Sequence, residues 1–493
     1  MSAESVQPRA VPTGIKLMPD SSRVVARLFV PGLEDVGPTG SRASAVIGRL
    51  LSLDEKDCVD ALEDVLDRFS TRHSDLEELF DRNAERVLTL IDPVMEISAV
   101  RRSLIGASFT HEYSVEAAAL CNPSMVLQRD AEESDGSARF VMSVRGIGEG
   151  HRSTIGFRTG RIAADGQVTV HDPGPHAISV SGTPGLHYRS VLHAKLDSIG
   201  HDFSKISQFV STLPPTFDDA VLSEALSAAA SDPTMQRLDP DTLAHITEFS
   251  HWSYAVEFPD ESHLSERVLW PHAPPEYHGM EDARFVRFVN DEGEVTYFGT
   301  YTAFNRGDTS LQLLETTDFK AFTSSPVAGA AAAGKGLALF PRKINGRFWA
   351  LTRADRETNG IASSDDIRHW PTAQTLQTPQ ESWELLQLGN CGSPIEIDDG
   401  WLVLTHGVGP LRTYSLGALL LDKQDPTRVL RRAHEPILTP GTDLQDGYVP
   451  NVVYSCGGVV HRGNLVLPFG VGDQWISAVT MSVADLVRSM RPV

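Results

Sequence analysis

The sequence predicts a mainly β fold: a five-bladed β-propeller with an α-helical N-terminal region and a helical insertion. Three observations lead there. From about residue 120 onward, apolar residues alternate with a period of two. A glycine turn followed by an apolar strand returns at nearly constant spacing, as in propeller blades. Two stretches, about 50–95 and about 200–250, carry helical signals instead.

In the first helical stretch Val59, Leu62, Val65, Leu66 and Phe69 fall on one face, and Ser52 with Glu55 forms a candidate capping box. A second stripe, Leu76, Leu79, Phe80, Val87, Leu88 and Ile91, has Ser74 and Glu77 as its cap and Pro93 as its end. Stripes of this kind are packing faces, directed at the main domain or at another subunit. Residues 1–100 are therefore expected to form a helical region, and 101–493 the propeller.

The strand repeat starts with Asp135-Gly136 before the run Arg139 to Arg145. Glu292-Gly293, Asn345-Gly346, Asp399-Gly400 and Arg462-Gly463 each precede an apolar strand in the same way, with the last four glycines 53, 54 and 63 residues apart. Thr317-Asp318-Phe319 and the segment Ser364 to Trp370 echo one another at a common phase. The longer interval from Gly136 to Gly293 is filled by the insertion, where Thr216 with Asp219 is expected to cap a helix bearing Val221, Leu222, Ala225 and Leu226, and Asp241 another.

Charge and cysteine usage narrow the function. With 65 acidic against 43 basic residues and a net charge of −22, the surface does not suit nucleic acid or an anionic membrane. Cys58, Cys121, Cys391 and Cys456 are far apart, as expected of free thiols in a reducing cytoplasm. The segment Met1 to Lys16 has no apolar core of signal-peptide length, and no stretch is long enough to span a membrane.

Several motifs fail on inspection. Gly329 to Gly336 approximates a phosphate-cradling loop, but Gly336 stands where Ser or Thr would hold magnesium, and Pro341 interrupts the helix that should follow. His111-Glu112 and His434-Glu435 lack a second histidine at helical spacing, so no metal site is expected. What remains is a series of polar residues at the ends of inner strands: Asn122, Arg145, Asp282, Arg284, Lys335, Arg353, His406 and Asp473. Acids and bases converging on one funnel suit an anionic co-substrate beside a sugar. Glu281 and Asp282 next to Arg284 form the arrangement best able to present one tuned carboxylate.

The segments Gly279 to Arg284, Lys335 to Pro341, Lys343 to Gly346, Gly400 to Val408, Leu420 to Asp422 with Asp425-Pro426, Pro450 to Tyr454 and Phe469 to Asp473 resemble, in order, glycoside hydrolase family 130. The resemblance runs from about Asn122 to the C-terminus, and the helical N-terminus is similar to that of the longer members. It implies an inverting β-mannoside phosphorylase that releases α-mannose 1-phosphate, with inorganic phosphate as co-substrate and no other cofactor. Asp282 takes the place of the general acid, its proton relayed through the mannosyl 3-hydroxyl. Lys335, Arg353 and His406 match phosphate-binding positions, and Asn122, Arg145, Arg284, Tyr414 and Asp473 match positions lining the sugar site. Gln387 stands where many phosphorylases carry a phosphate-binding lysine, and Ala283 where the family usually has proline. The Gln387 departure leaves an inverting β-mannosidase as the alternative, with Glu384 near enough in sequence to activate water; a non-catalytic sugar-binding propeller is the third reading. A cytoplasmic homo-oligomer is expected.

Overall fold

The computed structural model describes residues 10–30, 42–89, 96–200, 203–232 and 238–493. The chain divides into two compact units. One comprises residues 21–115 and 174–179; the other takes up the rest of the chain, including the segment before residue 21. The smaller unit thus runs to residue 115, past the boundary expected near residue 100, and begins only at residue 21, since the strand Val11–Leu17 belongs to the β unit.

The β unit is mainly antiparallel sheet, arranged as five successive meanders. The first runs through Ala119–Glu132, Ala138–Ile147, Ser153–Ile162 and Val168–Val170. The second is Gly279–Val289, Val295–Asn305, Asp308–Thr316 and Ala321–Pro326. The third is Lys335–Leu339, Phe348–Arg353, Asn359–Ser364 and Gln374–Gln377. The fourth sets the short strands Gln387–Asn390 and Ile395–Ile397 against Gly400–Gly409, followed by Thr413–Leu421 and Val429–Arg432. The fifth sets Val453–Tyr454 and Val459–His461 against Asn464–Val471, then adds Trp475–Ser482. Its last strand is Val11–Leu17, paired antiparallel to Trp475–Ser482.

The glycines of the repeat sit in or beside the hairpin turns that join first to second strands. Gly293, Gly346 and Gly463 have φ of +81°, +76° and +75°, a conformation other residues enter only at a steric cost. The Asp318 and Asp366 echo is a side-chain turn at the third-to-fourth strand connection: Asp318 Oδ1 accepts from Lys320 N and Ala321 N at 2.8 and 3.0 Å, and Asp366 Oδ1 from Arg368 N at 2.9 Å. Neighbouring meanders are stitched by isolated bonds. Ser153 bridges to Gly279, Val289 N donates to Pro341 O at 2.9 Å, Leu388 N to Glu357 O at 3.0 Å, Tyr414 N to Asn451 O at 2.9 Å, and Cys456 N to Pro123 O at 2.8 Å.

The insertion is helical, with Arg189–Ser198, Phe203–Val210, Asp219–Ser231 and Pro240–Phe249 sharing a core of Val191, Leu192, Phe209, Leu222, Ile246 and Phe249. The caps differ from those expected. Asp218 and Asp239, not Thr216 and Asp241, accept from the third backbone N–H onward, at 2.9 Å each.

The smaller unit holds Arg42–Ser52, Glu55–Phe69, Leu76–Leu88 and Ala99–Ser108, with a two-stranded ribbon of Val24–Leu28 and Thr110–Ser114. Ala43, Ile47, Val87, Ile105 and Phe109 form its core. Ser52 ends one helix instead of opening the next, which Asp54 caps through Asp57 N at 2.8 Å. Asp75, not Ser74, precedes the third helix and makes no capping bond. On Glu55–Phe69 the expected stripe is only half-buried, Cys58 being the helix's one buried residue. Ile91 and Pro93 lie outside the described residues.

Among the described residues no helix is long and apolar enough to cross a membrane, no group of His, Cys, Asp and Glu is placed to hold a metal, and the four cysteines are free and buried.

Candidate active site

All five meanders contribute side chains to one cavity of about 540 Å³. The first supplies Asn122 and Arg145, and the second Glu281, Asp282, Phe304 and Thr309. The third supplies Lys335, Arg353 and Arg356, and the fourth Gln387, His406, Arg412 and Tyr414. Val452, Tyr454 and Asp473 come from the fifth. Nine of the ten sequence-predicted site residues thus meet in one place.

A shared local distortion puts them there. In the first strands of three meanders the pairing register shifts, between Cys121 and Ser124, Glu281 and Arg284, and Lys335 and Ala338. Within these bulges Asn122 and Asp282 have φ of +49° and +54°. A bulge re-aims the side chain out of the strict alternation of a strand, and Asn and Asp tolerate the left-handed region better than most residues. Asp473 reaches it by another route, at φ +48° in the tight turn between Asn464–Val471 and Trp475–Ser482.

Asp282 is held on several sides. Asn122 Nδ2 donates to its Oδ1 at 2.6 Å, and Arg145 contacts the same oxygen at 3.3 Å. Burial pushes the carboxyl up, but Arg145, Arg284, Lys335 and the Asn122 bond outweigh it and hold Asp282 below its ordinary value. Glu281 faces the same cations: Arg145 donates to Oε1 at 2.7 Å and Lys335 Nζ to Oε2 at 2.6 Å. Asp473 is shifted the other way, pushed up to about 6 by burial and by Asp282, against the pull of Arg145 and Arg412.

Arg284 departs from expectation. It is 2% exposed and lies under the site instead of lining it. Its nitrogens donate to Cys391 O at 3.0 Å, to the Asp282 backbone carbonyl at 2.9 Å and to the Tyr454 hydroxyl at 2.9 Å. The role this geometry supports is to fix the backbone of the bulge.

A second wall is built on Gly389. Lys335 and Arg353 are cross-strand partners, and Gly389 is the partner of His406. A Cβ at Gly389 would come within 2.3 Å of Arg353 Nε and 2.7 Å of His406 Cε1, so only glycine lets the two side chains approach. Arg353 Nε and both ring nitrogens of His406 are buried without a well-formed hydrogen bond in the protein. Burial, then Arg353 and Arg284, hold His406 well below the ordinary histidine value, so it is a neutral ring here. Gln387 Nε2 donates to the Tyr414 hydroxyl at 3.3 Å. Glu384 does not line the cavity. It is fully buried, paired with Arg432, and accepts from Gln380 N at 3.0 Å and Glu381 N at 3.1 Å.

Sequence reasoning leaves seven lining residues unassigned, among them Tyr454, Arg356, Arg412 and Phe304, and gives Glu281 no separate role. Tyr454 stands in a matched segment, which is the signal that could have found it. Arg356 and Arg412 lie in turns with φ of +65° and +55°, where nothing in the local pattern signals the pocket.

The family model described as beta-1,4-mannooligosaccharide phosphorylase, Glyco_hydro_130, matches residues 248–491. A 1,2-beta-oligomannan phosphorylase of Thermoanaerobacter is 32% identical over 236 residues, 45% of this chain and 75% of the relative. A beta-1,2-mannobiose phosphorylase of Listeria innocua is 32% identical over 45% of this chain and 63% of that protein. Its counterpart from Thermoanaerobacter is 33% identical over 43% and 70%. Among solved structures, the Listeria innocua enzyme in complex with beta-1,2-mannobiose aligns with 81% of this chain and 95% of its own, at 22% identity and a TM-score of 0.46. On the identity and coverage of these relatives, the chain belongs to glycoside hydrolase family 130.

Proposed function

We propose that this protein is an inverting β-mannoside phosphorylase, using inorganic phosphate to cleave manno-oligosaccharides into α-mannose 1-phosphate and a shortened acceptor. The observation that carries this reading is the meeting of opposites in one pocket: a carboxylate at Asp282 together with Arg353 Nε and the two ring nitrogens of His406, all three buried without a well-formed hydrogen bond. A buried polar atom without a partner is costly, so a site that keeps an arginine and an imidazole N–H unpaired suits a ligand rich in acceptors. Phosphate fits, with Lys335 as a point charge, Arg353 as a fork and His406 as a neutral donor.

The chemistry follows from the same arrangement. Phosphate is its own nucleophile and needs only placement, while the leaving oxygen needs a proton. The surrounding cations keep Asp282 ionised. A phosphate dianion would draw Lys335 away from Glu281 and add negative charge beside Asp282, which raises the affinity of the carboxyl for a proton. The acid would then pass its proton to the glycosidic oxygen through the sugar. A hydrolase needs a carboxylate placed to activate water; Glu281 and Glu384 are both tied into ion pairs, which favours the phosphorylase.

The five meanders are proposed to close as the blades of a propeller. The support is the run of bonds from first to second, through to fifth and back to first, with the pocket drawing on all five. Free buried thiols suit a cytoplasmic setting.

β-1,2-Linked mannobiose is the first substrate to test, incubated with and without phosphate and followed by anomeric NMR. The expected product is α-mannose 1-phosphate, formed only with phosphate. Free mannose at full rate in phosphate-free buffer would replace this reading with the hydrolase.

A further inference from the structure

A second cavity, of about 600 Å³, adjoins the first, and Gly307, Thr309 and Arg356 line both. The hairpin tip between Val295–Asn305 and Asp308–Thr316 stands at their junction. Phe304 faces the first cavity, while Asn305, Asp308 and Ser310 face the second. The far wall comes from the insertion: Lys195 and Leu196 from Arg189–Ser198, and Glu248 and Phe249 from Pro240–Phe249, with Trp252 just beyond.

The second cavity is lined by an indole, hydroxyls and charged groups of both signs. Trp252 offers a half-buried indole whose Nε1 is buried without a partner, and Ser310 Oγ is another unpartnered buried atom. The Lys195 ammonium lies 5.3 Å from the centre of the Trp252 ring. Lys195 and Arg356 are balanced by Glu248 and Asp308. Mixed donors and acceptors without a dominant charge, beside an aromatic face, suit a neutral polyol better than an anion. Lys195 and Leu196 precede residue 248, where the family match begins, whereas Glu248, Phe249 and Trp252 fall within it.

We propose that the second cavity holds the sugar units of a β-mannoside oligosaccharide beyond those at the catalytic pocket, making the enzyme selective for chains of three or more residues. The proposal rests on the phosphorylase reading and names its substrate class. Remote sugars bound on the insertion lend binding energy to the reacting end, so longer chains should gain in kcat/KM.

The test compares phosphorolysis of β-1,2-mannobiose with that of the tri- and tetrasaccharides in the wild type, Trp252→Ala and Lys195→Gln. The wild type should prefer the longer chains by about tenfold in kcat/KM, one well-placed contact's worth. Trp252→Ala should erase the preference while leaving mannobiose turnover within about twofold, and Lys195→Gln should reduce it. If Trp252→Ala misfolds by circular dichroism, the surface-preserving Lys195→Gln decides. Equal kcat/KM for two and four sugars in the wild type, or a preference that survives both substitutions, would overturn the proposal while leaving the phosphorylase intact. No phosphate-dependent cleavage of any β-mannoside would overturn the function itself, and this proposal with it.

Discussion

On the wall around Asp282 the carboxylates are already paired, and Arg145 Nε and Asn122 Oδ1 are the buried atoms there left without a bond. Asp282 has Asn122 and Arg145, and Glu281 has Arg145 and Lys335. On the wall around Gly389, Arg353 Nε and both His406 ring nitrogens are buried without well-formed hydrogen bonds. Both walls stand at the ends of strands of one unit, so the contrast is not between core and surface. The matched wall is pre-organised to hold a carboxylate in one place. The unmatched wall leaves polar atoms free for a ligand, and the cost of keeping them buried and unpaired is what a bound ligand would offset.

The sharpest way to break the comparison is at the matched wall. Asp282→Asn fills the same space and keeps the Asn122 and Arg145 neighbourhood, but it has no proton to give. Turnover should fall by roughly a thousandfold, within the range for a general acid, with the circular dichroism spectrum unchanged. Activity within tenfold of wild type would remove Asp282 from the chemistry.

Lys335 joins the two walls and is the next largest test. Lys335→Ala removes one cation from phosphate and one partner from Glu281. A charge-assisted contact is worth on the order of 1.5–3 kcal/mol, so the phosphate KM should rise roughly tenfold to a hundredfold. An unchanged phosphate KM would place the anion elsewhere.

The smallest effect sharpens the contrast between the two pocket aspartates. Asp473 is raised to about 6, so its folded-state proton affinity exceeds that of the unfolded chain. Its stabilising contribution is therefore full below the ordinary aspartate value near 3.8 and lost as pH rises through about 6. Asp473→Asn should stabilise the protein at pH 7 relative to pH 4 by up to about 3 kcal/mol, since each tenfold gain in proton affinity on folding corresponds to about 1.4 kcal/mol. Thermal melts of both proteins across that range would show it; parallel curves would contradict it.

The sequence is most legible where local chemistry repeats. The turn glycines before each second strand, the Asp318 and Asp366 echoes and the inner-strand ends all mark real features, because a tight turn demands particular residues whatever surrounds it. It is less legible where partners are distant. Lys335 and Glu281, 54 residues apart, form a pair that no local pattern reveals. Arg284 reads as a lining residue because its neighbours are, but two positions along a bulged strand separate a pocket from the floor beneath it. The sequence misplaces helix starts by one or two residues, at Asp54, Asp75, Asp218 and Asp239, since adjacent Ser, Thr and Asp residues compete for the cap position. The strand Val11–Leu17 gives no signal in the sequence, as its mostly exposed face carries little apolar alternation.

That strand has a consequence for how the protein is made. Thr13 Oγ1 donates to Ala478 O at 2.9 Å, across 465 residues of chain. At a synthesis rate of about 5–20 residues per second, a ribosome needs on the order of half a minute to a minute and a half to deliver the partner of Val11–Leu17. Through that interval the fifth meander is incomplete and the nascent chain carries an unpaired strand, open to wrong pairing or to a chaperone. Ribosome-stalled chains ending before Trp475 should be cut by protease within Val11–Leu17, and chains released at full length should resist. Equal protection in both would mean that the strand finds another partner first.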